Sequence, residues 1–157
     1  MTASPSLTLR RAGPQDADAV RAIVHSAYAR WVPVLGREPA PMWADYDHGV
    51  RAHDIDLLHT EDRMVALIEC VPHSDHLFIE NIAVVPEHQG RGLGRWLLAH
   101  AERRAQDARL PRLGLLTAEA MASNVRLYQS AGFRIDGTSL FMGGTTIHMS
   151  KWLNQAA

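Results

Sequence analysis

The chain has 157 residues, enough for one well-cored domain and too few for two comfortable ones, so a single domain over 1–157 with its core at about 7–153 is expected. Hydrophobic residues make up 46% and charged residues 21%, and the net charge of -1 gives no electrostatic case for nucleic acid or an anionic membrane. No apolar run is long enough to span a bilayer, and Met1 to Ser6 lack the blocks of a signal peptide, so a cytoplasmic protein is expected.

Leu7 to Arg11 reads as a first strand. Pro14 and Asp16 open a helix whose apolar residues Ala19, Val20, Ile23, Val24 and Ala27 recur at helical spacing, with Tyr28, Trp31 and Val32 extending that face to a break at Pro33. Gly36 to Pro41 resists helical geometry, and a second short helix is predicted from Met42 to about Arg51. Leu57 to Thr60, Met64 to Val71 and Leu77 to Val85 then form an antiparallel meander with tight turns at Glu61-Asp62-Arg63 and Pro72-His73-Ser74-Asp75. The clearest helix runs from Gly92 to about Asp107, with Leu93, Leu97, Ala101 and Ala105 along one face. Arg112 to Thr117 follows as a strand, implying a parallel neighbour reached by a right-handed crossover. A helix from about Ser123 to Ala131 ends at Gly132, and two final strands, near Phe133 to Leu140 and Thr145 to Leu153, join through Gly143-Gly144. The expected fold class is α+β: a mixed, mostly antiparallel sheet of about seven strands with helices on both faces.

Nine histidines raise the question of a metal, but their spacing argues against one. His73 and His76 flank a predicted turn, His48 and His53 are not one helical turn apart, and no cysteine pair accompanies them. They are expected as solvated loop residues. The single cysteine, Cys70, excludes an internal disulfide and sits in the apolar run Met64 to Val71, where it reads as a core hydrophobe rather than a nucleophile.

The stretch Ile82-Ala83-Val84-Val85-Pro86-Glu87-His88-Gln89-Gly90-Arg91-Gly92-Leu93-Gly94 carries the chemistry. A strand leads through a Pro-marked turn into a glycine-dense loop and straight into a helix, so bare N–H groups and the positive end of the helix converge where a phosphate can sit. A nucleotide P-loop needs Lys and then Ser or Thr after the last glycine, but Gly94 is followed by Arg95-Trp96. A dinucleotide fingerprint needs G-x-G-x-x-G in the first βα unit of a parallel sheet, whereas this loop is G-x-G-x-G and comes after several antiparallel strands.

Gln89-Gly90-Arg91-Gly92-Leu93-Gly94 instead resembles the Gln/Arg-x-x-Gly-x-Gly/Ala motif of the GCN5-related N-acetyltransferase (GNAT) superfamily. Asn124-Val125-Arg126-Leu127-Tyr128-Gln129-Ser130-Ala131-Gly132-Phe133 is similar to that family's second signature, and the resemblance covers nearly the whole chain. It implies a splay between strands 4 and 5 and acetyl-coenzyme A as cofactor. Backbone amides from Gln89, Gly90, Arg91, Gly92, Leu93, Gly94 and Arg95 would surround the pyrophosphate, and the arm would lie along Ile82, Ala83 and Val84. Asn124 would meet the cofactor. Tyr128 is then either the general acid for the departing thiolate or a core aromatic. Glu80 is placed on one face with Ile82 and Val84; either it is the base, directly or through water, or it and Asn81 are substrate or structural hydrogen-bonding groups.

The resemblance places the acceptor site at Tyr28, Trp31, the segment containing Met42, Asp45 and Tyr46, and Phe141. Trp31, Met42 and Trp43 either wall this pocket or pack the helices onto the sheet. The acceptor is expected to be a small-molecule primary amine, with a protein or peptide amine as the alternative, and no nucleic-acid or membrane partner. A non-catalytic acyl-coenzyme A sensor is the competing class. Dimers are common in the family, so a homodimer is a possible assembly.

Overall fold

Asp16 fastens the first strand to the first helix. In the computed structural model, which describes residues 6–154, its carboxylate accepts from the Gly13 backbone N–H at 2.8 Å and from the Arg10 guanidinium at 2.8 and 2.9 Å. The chain ends expected within the 1–157 domain, including residues 1–5, lie outside the described residues. Strand β1 is Leu7–Arg11, a 3-10 turn covers Pro14–Asp16, and α1 is Ala17–Tyr28. The helix buries Ala17, Val20, Ile23, Val24, Ala27 and Tyr28, while Ala19, at the edge of that stripe, faces water. The Arg10 pair, followed by the Gly13 amide, holds the Asp16 carboxyl at about 2. A carboxyl lowered from 3.8 contributes stability that is full above that value and lost as pH falls towards about 2. Asp16→Asn is therefore expected to cost about 1 kcal/mol at neutral pH, discounted for the half-exposed Arg10, with wild-type and variant urea midpoints converging near the folded value.

Pro33 does not break the chain. It sits in the first turn of α2 (Val32–Leu35), where its missing N–H has no helical partner to lose, and the helix ends at Gly36. The helix expected from Met42 is two pieces, a 3-10 turn over Ala40–Trp43 and then α3, Tyr46–Ala52. Ala44 and Asp45 are extended between them, and the Asp45 side chain caps α3 by accepting from the His48 N–H at 3.1 Å.

The remaining elements are β2 (Asp54–Thr60), β3 (Arg63–Pro72), β4 (Leu77–Val84), α4 (Leu93–Asp107), β5 (Arg112–Ala118), α5 (Ala122–Ser130), β6 (Arg134–Phe141) and β7 (Gly144–Trp152). β2 begins earlier than the expected Leu57, and the last hairpin turns at Met142-Gly143 rather than Gly143-Gly144. The strands form one seven-stranded sheet in the order β1-β2-β3-β4-β5-β7-β6, with β4–β5 the parallel pair. The α+β class and helices on both faces stand as expected. Tyr28 of α1 reaches Asn81 on one face, while His100 and Arg104 of α4 reach Asp56 and Asp54 on the other.

Two irregularities of β4 shape the site. Its pairing with β5 covers only Leu77, Phe78 and Ile79 opposite Leu113, Gly114 and Leu115, so the strands splay beyond that point. On the other edge the register jumps from Glu69↔Asn81 to Cys70↔Ile79, leaving Glu80 as the extra residue of a bulge.

Candidate functional site

The splay opens a cavity of about 550 Å³ between the sheet, the end of α1, the segment leading into α3, the start of α5 and β6. Tyr28, Asp45, Tyr46, Glu80, Asn81, Ile82, Asn124, Tyr128 and Phe141 all border it. Trp31 and Met42 do not. Both are partly buried against the core, on the 3-10 turns Ala29–Trp31 and Ala40–Trp43. Asp45 is committed as the cap of α3.

The bulge overturns the expected alternation at Glu80. Partners across an antiparallel ladder share a face, so Asn81 and Ala83 go with Glu69 and Leu67, whereas Ile82 and Val84 go with Ile68 and Ala66. Glu80 itself has no partner in that ladder, so the pairing does not set it on one face with Ile82 and Val84, and it borders the cavity together with Glu69, Tyr46 and Ile82. It is also exposed, not enclosed in an apolar strand.

A buried polar network forms the cavity floor. The Tyr28 hydroxyl lies 2.7 Å from Asn81 Oδ1 and 3.1 Å from the Ile82 carbonyl. Asn81 Nδ2 donates to the Tyr46 hydroxyl at 3.2 Å, and Tyr46 donates to the Pro41 carbonyl at 2.7 Å. Burial pushes the Tyr28 hydroxyl well up and also raises that of Tyr46. Pattern reading passes over Glu69, 4% exposed, which is bound to His53 Nδ1 at 2.7 Å. The signal was there: a carboxylate inside the apolar run Met64 to Val71 needs a partner or a purpose. Burial raises its pKa, with the His53 hydrogen bond opposing. The histidines are thus not all solvated: His53 and His100 are partly buried partners of carboxylates.

Tyr128 is buried and packs edge-on against Phe133. Among the described residues its hydroxyl makes no hydrogen bond, and burial pushes it up to about 12, so it stays protonated across the physiological range. Asn124, one helical turn earlier on α5, borders the same cavity. Cys70 is fully buried and its thiol is pushed up to about 12, which leaves it unreactive.

Beyond β4, a 3-10 turn at Pro86–His88 leads to the glycine loop. Gly90 and Gly92 have φ of +77° and +83°, and a Cβ at either would meet no other residue within 4 Å. Gly92 caps α4, whose first capping bond is donated by Trp96 to the Gly92 carbonyl. Among the described residues the N–H groups from Gly90 to Arg95 therefore have no acceptor, the arrangement of an anion cradle. Gly94 serves packing, because a Cβ there would stand 3.2 Å from Leu127 Cδ2. Leu93 begins α4 partly buried against the core. Arg95 is tied to Ser130 Oγ at 2.6 Å, and Arg91 is exposed. Gln89 donates to the Val84 carbonyl at 2.9 Å and accepts from Arg30 at 3.1 Å; Arg30 also reaches Ser123, so it bridges the loop to α5. Ala83 is buried, and its backbone lies in the unpaired part of β4.

A parallel β4–β5 pair that splays beside an anion cradle is the centre of this site, and comparison with known proteins says which proteins share it. The profile of the family described as Acetyltransferase (GNAT) family matches residues 20–133, and the chain belongs to that family. Over 76 residues it is 37% identical to the [ribosomal protein bS18]-alanine N-acetyltransferase of Salmonella typhimurium. That match covers 48% of this chain and 51%, about half, of the relative. The PaiA N-acetyltransferase of Thermoplasma acidophilum, solved with coenzyme A, shares the fold at a TM-score of 0.79 and 12% identity, over 94% of this chain and 99% of that one. A chimera of the Vibrio cholerae spermidine N-acetyltransferase SpeG with hSSAT is similar at a TM-score of 0.73 and 20% identity, over 93% and 95%. Among the described residues no helix is long and apolar enough to cross a membrane.

Proposed function

We propose that this chain is an acetyl-coenzyme A-dependent N-acetyltransferase that moves an acetyl group directly to the primary amine of a small molecule. The carrying observation is that the unpaired edge of β4 runs into a loop whose successive N–H groups have no acceptor of their own. Those groups fit a pyrophosphate, and the edge from Ile82 to Val84 fits an extended amide-bearing arm. Asn124 borders the cavity from α5, and the exposed Arg91 supplies a cation in the loop. When bound, acetyl-coenzyme A supplies an activated acyl carbon and a thiol leaving group.

Tyr128 holds a proton at its hydroxyl and offers it as a donor inside the cavity. Glu80, exposed on the cavity rim, attracts the acceptor ammonium. Tyr28, Asn81 and Tyr46 keep the floor rigid. The inertness of Cys70 supports direct transfer over an acyl-enzyme route.

A cavity of about 550 Å³ walled by aromatic side chains supports a small acceptor. The half-length likeness to a ribosomal-protein alanine acetyltransferase favours a protein α-amine as the second reading. A thiol-release assay over small primary amines and short peptides separates the two. Faster turnover of small amines is expected; turnover of peptides alone favours the second reading, and coenzyme A binding without any turnover marks a sensor.

A further inference from the structure

The cavity floor holds a carboxylate with no part in the scheme above. Glu69 is almost wholly enclosed, yet it borders the same cavity as Ile82 and Tyr128. Its Oε2 lies 2.7 Å from His53 Nδ1, and the His53 side chain, 28% exposed, reaches from that carboxylate to solvent at the C-terminal end of α3. Gly49 of α3 makes room for the pair, since a Cβ there would stand 3.3 Å from Glu69 Oε2. We propose that Glu69, seated by His53, takes the proton from the acceptor ammonium, and that His53 passes it to solvent.

This inference rests on the amine-acceptor reading. An amine enters as an ammonium ion and cannot attack until one N–H bond breaks. The bonding pair stays on nitrogen as its lone pair, the proton goes to the Glu69 carboxylate, and the imidazole hands it to water, regenerating the carboxylate. No oxidant or further reactant is involved. Glu69 suits this step better than Glu80. Glu80 stands exposed on the cavity rim, whereas Glu69 is enclosed at its floor with His53 as a route to solvent, and burial makes Glu69 a stronger base than an ordinary carboxylate. The titratable groups facing Glu69 are Tyr28 from α1, Tyr46 and His53 from α3 with His48 beside them, and Glu80 from β4. Both tyrosines stay neutral, since burial raises them.

Two acceptors and two variants test this. With the amine the wild type acetylates best, Glu69→Gln is expected to lower kcat about a hundredfold with KM for acetyl-coenzyme A unchanged. The lost rate should return as pH rises and the free amine becomes abundant. With hydroxylamine, which is uncharged at neutral pH, the same variant should lose less than about threefold, because no proton has to leave first. His53→Asn keeps a donor to Glu69 but removes the ionisable ring, and is expected to lose about tenfold with the amine only. Thermal shift with coenzyme A checks that each variant is folded and binds. Equal losses with both acceptors reveal a structural role and overturn the proposal, as does an unchanged kcat with the amine. If Glu69→Gln fails to fold, His53→Asn decides by the same two-acceptor comparison. No wild-type turnover of any amine overturns the acceptor reading and this relay with it, whereas wild-type turnover with unaffected variants overturns the relay alone.

Discussion

Gly92→Glu is expected to weaken coenzyme A binding by more than about a hundredfold while leaving the protein folded. Gly92 has φ of +83°, so a side chain there carries a left-handed penalty of about 1–2 kcal/mol. That is small against the ~5–15 kcal/mol of a typical domain. No other residue lies within 4 Å of the added Cβ, so nothing in the protein is displaced. The loss falls on the ligand, because a carboxylate at the cap of α4 both fills the approach to the N–H groups from Gly90 to Arg95 and repels phosphate. Isothermal titration with coenzyme A, alongside a thermal melt, measures both quantities. Affinity within threefold of wild type would place the pyrophosphate elsewhere. Gly94→Ala serves as a contrast, since its clash is with Leu127 and its effect should appear mainly in the melt.

Tyr128→Phe is expected to lower kcat about a hundredfold with little change in KM for acetyl-coenzyme A. Its stability should change by less than about 1 kcal/mol, because among the described residues the hydroxyl has no partner to strand and the ring keeps its contact with Phe133. A hydroxyl held at about 12 stays protonated through the neutral range, so Tyr128 should impose no alkaline fall in kcat until pH nears that value. A rate within threefold of wild type, from steady-state thiol release, would return Tyr128 to a packing role.

These two residues can be proposed from pattern because their placement is local. A phosphate loop needs left-handed backbone at fixed positions before a helix, and glycine there is visible in the chain itself. Asn124 and Tyr128 are one helical turn apart, so any helix through them puts both on one side. Glu80 is not open to the same kind of inference. Counting by twos along β4 assumes an unbroken pleat, and one extra residue in the ladder with β3 reassigns its neighbours to opposite faces. Trp31 and Met42 lie on 3-10 turns, which do not keep the angular step of an α-helix, so a helical count does not place their side chains.

Composition, periodicity and the glycine loop by themselves determined a seven-stranded α+β domain with an anion cradle at the start of α4, since each depends on residues close together in the chain. Tertiary structure alone decided what lies beneath the cavity. Tyr28 meets Asn81 across 53 positions, Asn81 meets Tyr46 across 35, and His53 meets Glu69 across 16. Those distances close only because α1 and α3 settle on one face of the sheet, and the burial that raises Glu69 exists only once they have.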